Sequence, residues 1–407
     1  MSEREVAVTG IGMVTPAGLG REATWDGLCA GVGVGARDAA LAGLPVDFSC
    51  AVPGFDGDAL LGRKITWRND RFIQLALVAA REAVADAGLD PAAWDGPRVA
   101  VVLGSASNGG DRWPQEYRNL AEGRVSAISP TALLRSLPNM VAGEISADLQ
   151  ALGPCLTTST ACASGATAIG TARDLIRAGA CDIALAGGTD CARVPMGSAA
   201  FHRMQALSTR RDDPAGASRP FDADRDGFVL SEGSAVLVLE RPEHARARRA
   251  RVRGWLCGYG ASGDGYHATR PDPHGAGARR ALLAALADAR AQPQDVHHVN
   301  AHGTSTALND RVEADLLADV FRTAPPVTSL KGVIGHALGA AGAVDAACSV
   351  LSLQRQLIPP TANLDRLDEG MELDVVAKRP RQHRMETVVS NAFGFGGQNA
   401  VLLFRTA

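Results

Sequence analysis

Cys162 stands in Ser159-Thr160-Ala161-Cys162-Ala163-Ser164-Gly165, and the following residues, Ala166 to Ala178, are small, aliphatic or charged in a pattern that suits a helix. That spacing predicts a thiol at a helix N-terminus. There the backbone N–H groups lack intrahelical partners and the macrodipole adds roughly half a positive charge, so the thiolate is favoured and sulfur becomes a candidate nucleophile. Taken alone, the heptapeptide suits a small core cysteine better. Three other segments hold polar residues that packing does not require. Asn300-Ala301-His302-Gly303-Thr304-Ser305-Thr306 sets a histidine at a strand end, followed by two β-branched hydroxyls. Lys331-Gly332-Val333-Ile334-Gly335-His336 sets a lysine five residues before a second histidine, and Asn391-Ala392-Phe393-Gly394-Phe395-Gly396-Gly397-Gln398-Asn399 is a glycine-rich loop.

The elements that must position these groups alternate. Apolar β-branched runs at Val6 to Thr9, Val99 to Leu103 and Asp182 to Ala186 are interleaved with helical patterns at Phe72 to Ala87 and Ala163 to Ala178, which reads as α/β. The parts also recur. Val101 to Ser105 has a counterpart in Val299 to Thr304, the segment opening at Cys162 in that opening at His336, and Ile183 to Gly188 in Thr387 to Asn391, each apolar run entering a small or polar loop. The chain therefore reads as two related halves, 1–245 and 246–407, joined near Glu240 to Arg251. An insertion at 109–151 in the first half reads as a lid or dimer element. A pseudo-twofold arrangement would bring Cys162 and His336 to one shared cleft.

The 407 residues are 46% hydrophobic, enough for a large core, and 45 glycines with 4% aromatics suit close helix-on-sheet packing. A net charge of -3 argues against a nucleic-acid surface. Eight scattered cysteines without a CxxC pair, no apolar run long enough to span a bilayer, and a first strand starting at Val6 without a leader lead us to expect a cytoplasmic protein with reduced thiols and no membrane association.

Together the motifs TACASG, NAHGTST, KGVIGHALGAAGA and NAFGFGGQN, in this order and across Val6 to Phe404, resemble the elongating β-ketoacyl-[acyl carrier protein] synthases. The resemblance implies the thiolase fold, five αβαβα layers built from two pseudo-twofold halves, and decarboxylative condensation of a malonyl thioester with a Cys162-bound acyl chain. It implies an oxyanion hole from the N–H groups of Cys162 and Phe395, and neutral His302 and His336 donating to the thioester oxygen. Lys331 is expected to orient His336 and pair with Glu313. Thr304 and Thr306 are expected to bond a phosphopantetheine arm, Phe395 and Phe228 to gate the cleft, and Phe201 to line it. No resident cofactor is implied, because the phosphopantetheine is carried by the acyl carrier protein. Arg63, Lys64, Arg68 and Arg71 form a basic patch for docking that acidic carrier. Asn300, Asp345, Ser390 and Asn391 match positions that hold a monovalent cation in some relatives.

Departures bear on the substrate. Where fatty-acid relatives carry a bulky aliphatic pocket floor and a partner-subunit aromatic, this chain has Ser107 and Ala132, so a wider, more polar pocket is expected. Leu308-Asn309-Asp310-Arg311 resembles type II polyketide ketosynthases, whereas FGFGGQN resembles fatty-acid enzymes. The expectation is an iterative polyketide enzyme, of a polyene-like chain, ahead of a housekeeping fatty-acid synthase, working as a homodimer or with a chain-length-factor-like partner. A degradative thiolase would carry a second cysteine where Phe393 and Phe395 stand. A chain-initiating synthase would have asparagine at His336, and a non-catalytic partner subunit would lack Cys162. A serine hydrolase elbow and a complete dinucleotide fingerprint are absent. His297, His298 and His302 sit on alternating strand faces, which disfavours a metal site.

Overall fold

The two halves fold into sheets with the same strand order. In the computed structural model, which describes residues 5–107 and 109–407, the first half contributes β1 (Val6–Thr15), β2 (Val99–Gly104), β3 (Cys155–Thr158), β4 (Ile183–Cys191) and β5 (Glu232–Glu240), ordered β3-β2-β4-β5-β1. The second half contributes β6 (Gly254–Gly263), β7 (His298–Asn300), β8 (Val327–Thr328), β9 (Thr387–Gly394) and β10 (Gln398–Arg405), ordered β8-β7-β9-β10-β6. Both therefore read third, second, fourth, fifth, first, with the same parallel core and antiparallel fifth and first strands. The opening residues 1–4, ahead of the expected leaderless strand, and residue 108 lie outside the described residues.

Equivalent strands β1 and β6 pair antiparallel, Val6 opposite Leu256 and Val8 opposite Gly254. Antiparallel pairing of equivalent strands generates a local twofold axis between them. Helices α1 (Arg71–Asp86) and α2 (Asn139–Leu149) cover the outer face of the first sheet, and α4 (Ala276–Asp288) and α5 (Ala307–Val320) that of the second. Between the sheets lie α3 (Ser164–Arg177) and α6 (Ala341–Arg355), giving the five αβαβα layers. The middle layer is dry: every residue of α6 from Ala341 to Leu353 is buried, which explains why, Asp345 apart, its sequence is small or apolar all round.

Several elements depart from the sequence reading in a way that matters. The strand expected at Val6 to Thr9 continues to Thr15, because Gly10 and Gly12 lie flat beneath α1; a side chain at Gly12 would start 1.9 Å from the Ala79 carbonyl. Likewise β4 runs through Gly187-Gly188 to Cys191, and β9 through Ser390-Asn391 to Gly394, where loops were expected. Both extensions carry polar residues to the centre of the molecule. The 109–151 segment divides: its end is α2, packed on α1, so that part belongs to the outer layer and is no lid. The rest, around the helix Trp113–Ala121, exposes Tyr117, Leu120, Val125, Leu133 and Leu134. The edge strand β3 beside it exposes Cys155 and Leu156.

Candidate active site

The turn between β3 and α3 presents Cys162 just ahead of the helix. Ala161 adopts φ +48°, a left-handed conformation costly for a residue with a side chain. Ser164 holds it in place: its Oγ donates to the Ala161 carbonyl (2.6 Å) and accepts from the Thr160 N–H (2.9 Å). The second half repeats this device, with Gly335 at φ +67° immediately before His336 and the His336 N–H donating to the Val229 carbonyl at 2.8 Å.

Burial pushes the Cys162 thiol up to about 11, although hydrogen bonds from the Phe395 and Cys162 N–H groups and the charge of Lys331 pull the other way. This corrects the thiolate expectation: desolvation in a closed site outweighs the helix end. Alkylation of Cys162 is therefore expected to accelerate steadily from pH 7 to 10, followed by iodoacetamide labelling and mass spectrometry; a plateau below pH 8 contradicts it. The N–H groups of Phe395 and Cys162 both reach the sulfur, a pair of backbone donors of the kind an oxyanion hole requires.

His302 follows β7 in a loop laced to α5 by two buried carboxylates. Glu313 accepts from the N–H groups of His302 (2.8 Å) and Gly303 (2.7 Å), and Asp310 from those of Thr304 (2.9 Å) and Ser305 (3.1 Å). The His302 and His336 rings meet edge to face, centroids 5.4 Å apart. Cys162 Sγ and one nitrogen of each ring all lie within 4.8 Å of one another. Both imidazoles are pushed well below the ordinary histidine range, by burial first and by the Lys331 charge second. They are neutral at pH 7 and able to donate N–H bonds to a developing oxyanion.

Lys331 does not pair with Glu313. Its Nζ contacts Asp345 Oδ2 of α6 at 2.9 Å, with both side chains buried. The layers explain the difference: Lys331 and Asp345 belong to the middle layer, whereas Glu313 reaches in from the outer α5 and spends its oxygens on backbone N–H groups and on Asn391 Nδ2 at 3.0 Å. Glu313→Gln keeps one carbonyl acceptor but sets an NH₂ donor against a backbone N–H of the His302–Gly303 turn, so we expect about 1–3 kcal/mol lower stability by denaturant melts and a displaced turn.

A cavity of about 540 Å³ joins these groups and is lined by Ser107, Cys162, Phe201, Phe228, His302, Thr304, Thr306, His336 and Phe395. Ala132 does not line it. Phe228 packs edge-on to the His336 ring at 5.3 Å, and Phe201 lies 5.4 Å from Phe228 and 6.4 Å from Phe395. The hydroxyls of Thr304 and Thr306 are 2.9 Å apart. Sequence reasoning missed the cavity residues Leu338 and Phe393, the latter 5.9 Å from the His302 ring, and the bracing Asp190 and Asp310. Leu338 and Phe393 lie within KGVIGHALGAAGA and NAFGFGGQN and Asp310 four residues after NAHGTST, whereas nothing in the sequence marked Asp190.

The basic patch is smaller than the sequence suggested. Arg71 is held by both oxygens of the buried Glu232, at 2.6 and 2.8 Å, and Arg68 by Glu144. Arg63 and Lys64 are exposed and, among the described residues, enter no ion pair. Of the four candidate cation ligands, Asn300 Oδ1, Ser390 Oγ and Asn391 Oδ1 are buried without hydrogen-bond partners, with Asn300 opposite Ser390 in the sheet register. Asp345 differs, since its carboxylate is committed to Lys331. His298, one of the three histidines weighed for a metal, is buried in β7 and driven down to about 3 by desolvation.

Comparisons with known proteins identify the family. Residues 3–245 match the family model "Beta-ketoacyl synthase, N-terminal domain" and residues 253–365 "Beta-ketoacyl synthase, C-terminal domain". The chain belongs to the beta-ketoacyl synthase family, and it is an acyl-transferring condensing enzyme with the thiolase fold. It is 39% identical to 3-oxoacyl-[acyl-carrier-protein] synthase 2 of Vibrio cholerae, over the whole of both chains. It is 41% identical to a putative polyketide beta-ketoacyl synthase 1 of Streptomyces cyaneus, over 98% of each. Among solved structures, the ishigamide ketosynthase/chain length factor superposes with a TM-score of 0.93 at 33% identity over all of both chains. A type II polyketide ketosynthase in complex with its acyl-carrier protein gives 0.90 at 30% identity over 99% of each. Among the described residues no helix is long and apolar enough to cross a membrane.

Proposed function

We propose that Cys162 carries the growing acyl chain and that His302 and His336 hold the nucleophile that extends it. The observation that carries this reading is the convergence of one buried thiol, two neutral imidazoles and two backbone N–H groups in a single cavity. In the first half-reaction sulfur attacks the acyl thioester carbon, and the carrier thiol leaves with the Cys162 proton. In the second, a malonyl thioester loses CO₂, and the enolate oxygen takes N–H bonds from both imidazoles. The enolate carbon then attacks the acyl carbonyl, the C–S bond breaks, and the sulfur is released. Thr304 and Thr306 bond the pantetheine amides on the way in, and Phe228, Phe201 and Phe395 close around the chain.

For the chain itself we favour an iterative type II polyketide product. Ser107 at the cavity wall supports it, because replacing an aliphatic floor by a hydroxyl removes about 1–3 kcal/mol of preference for plain hydrocarbon. The second reading, fatty-acid elongation, is supported by the FGFGGQN loop and by the 39% identity to synthase 2. Reconstitution with the acyl carrier protein and a malonyl donor, with products read by mass spectrometry, separates them: saturated chains made by a homodimer alone overturn the polyketide reading.

The open edge of β3, with Leu156 and the neighbouring Leu133 and Leu134 exposed, supports a dimer face for a second copy or a chain-length-factor-like subunit. An exposed sheet edge is a ready template for pairing. Carrier docking falls to Arg63 and Lys64. Arg63→Glu with Lys64→Glu is expected to weaken carrier binding in a salt-dependent way, whereas Arg71→Ala lowers the melting temperature by leaving the buried Glu232 with Arg193 alone as its cationic partner. The three orphaned oxygens of Asn300, Ser390 and Asn391 fit a monovalent cation, which would supply positive charge at the junction of β7 and β9. The cytoplasm is the compartment this reading places it in.

A further inference from the structure

Asp190, delivered by the unexpected end of β4, is fully buried and accepts five hydrogen bonds. Its Oδ1 accepts from Ser107 Oγ (2.7 Å), the Ser107 N–H (3.2 Å) and Ser105 Oγ (3.2 Å); its Oδ2 accepts from the N–H groups of Ala106 (2.9 Å) and Gly339 (2.7 Å). Among the described residues no cation pairs with it. A carboxylate has only acceptor sites, so this ring of donors can be closed by Asp but by no neutral side chain of its size. Burying it is otherwise costly.

Four of the five donors come from the loop after β2, which supplies Ala106 and Ser107 to the cavity wall. The fifth is in the turn that leads from His336 into α6. That turn is pressed against the same loop: a side chain at Gly339 would start 2.6 Å from both the Ala106 nitrogen and Asp190 Oδ2. One buried anion thus binds the acyl-cavity wall of the first half to the catalytic turn of the second. The bond to Ser107 Oγ exists only because this chain has a hydroxyl at that position.

We propose that Asp190 is a specificity-determining positioning residue, which draws residues 105–107 back against β4 and so keeps the cavity deep enough for long acyl chains on Cys162. Without the anion, the released N–H and O–H groups turn into the cavity toward water and shorten it. The proposal rests on the reading that Cys162 carries the chain. The test is acylation of the full-length enzyme by acetyl and octanoyl thioesters of the acyl carrier protein, with Cys162 loading rates read by intact mass. Asp190→Asn is expected to lower the octanoyl-to-acetyl ratio about tenfold, and Ser105→Ala, which removes one donor to Asp190 without changing a residue of the cavity lining, about threefold in the same direction. A ratio measures discrimination, so a general loss of folded enzyme does not move it. A ratio unchanged or raised in Asp190→Asn overturns the proposal. Should that variant fail to fold, an unchanged ratio in Ser105→Ala overturns it equally. Absence of any acyl adduct on wild-type Cys162 would instead defeat the reading of the nucleophile, and this inference with it.

Discussion

Cys162→Ala is expected to abolish acyl loading and to lower condensation by about four orders of magnitude, the scale on which loss of a nucleophile is felt in enzymes that form an acyl intermediate. The cause is chemical rather than structural. Alanine fits the elbow, since the left-handed residue is Ala161 and the clamp is made by Ser164, so the fold persists. Release of CO₂ from the malonyl thioester remains measurable in this variant, because the enolate oxygen is held by His302 and His336 and not by sulfur. Intact mass after incubation with acyl carrier thioester reads the first effect, and labelled CO₂ release the second. An acyl adduct on Cys162→Ala would reassign the nucleophile, and loss of decarboxylation together with condensation would deny the histidines their separate role.

Lys331→Met is the second large effect, and it acts in two separable ways. Removing the cation leaves the Asp345 carboxyl, already pushed up by burial, without its partner in the driest layer of the molecule, a defect of about 3–5 kcal/mol. It also removes the positive charge that, after burial, does most to lower both imidazoles. Their proton affinities then rise. Because decarboxylation needs the neutral rings, its acid limb moves to higher pH, and activity is lost first on the acid side. The double variant Lys331→Met with Asp345→Leu separates the two effects: stability returns toward wild type in urea melts, while the shifted pH profile stays. If the double variant regained the wild-type profile as well, the lysine would be structural only.

Much of this site was legible in the sequence because its residues are locally encoded. A nucleophile needs a sharp turn before a helix, and the small residues of Ser159 to Gly165 are what that turn tolerates. His302 sits just past a strand end, flanked by glycine and hydroxyls, and His336 follows Gly335 after the short helix Lys331–Ile334, patterns that a core does not need. The internal repeat was visible for the same reason, since each half needs the same alternation to build the same five-stranded order. The two misread strand ends share a single cause. Gly187-Gly188 and Ser390-Asn391 carry turn-forming residues, so both strands were ended early; yet β5 and β10 continue the ladder beside them, and sheet pairing overrides local preference. Asp190, beyond the first of those false ends, was consequently missed, and Phe393, beyond the second, was not assigned to the cavity.

Charge partners were the least legible feature. Lys331 had acidic candidates on several elements, and spacing along the chain carries no information about which layer each occupies. Arg71 read as surface charge, but it turns inward to Glu232, which lies far away in sequence and next to it in space. The sequence by itself determined the reaction class, through a thiol, two imidazoles and a glycine-rich loop in fixed order, because each belongs to a short turn that local sterics dictate. Only the tertiary structure decided the electrostatics: a thiol raised by burial, histidines kept neutral, Lys331 matched to Asp345, and the cavity wall tied to Asp190. Those depend on which side chains share a low-dielectric interior, and that is settled when two sheets close over one middle layer.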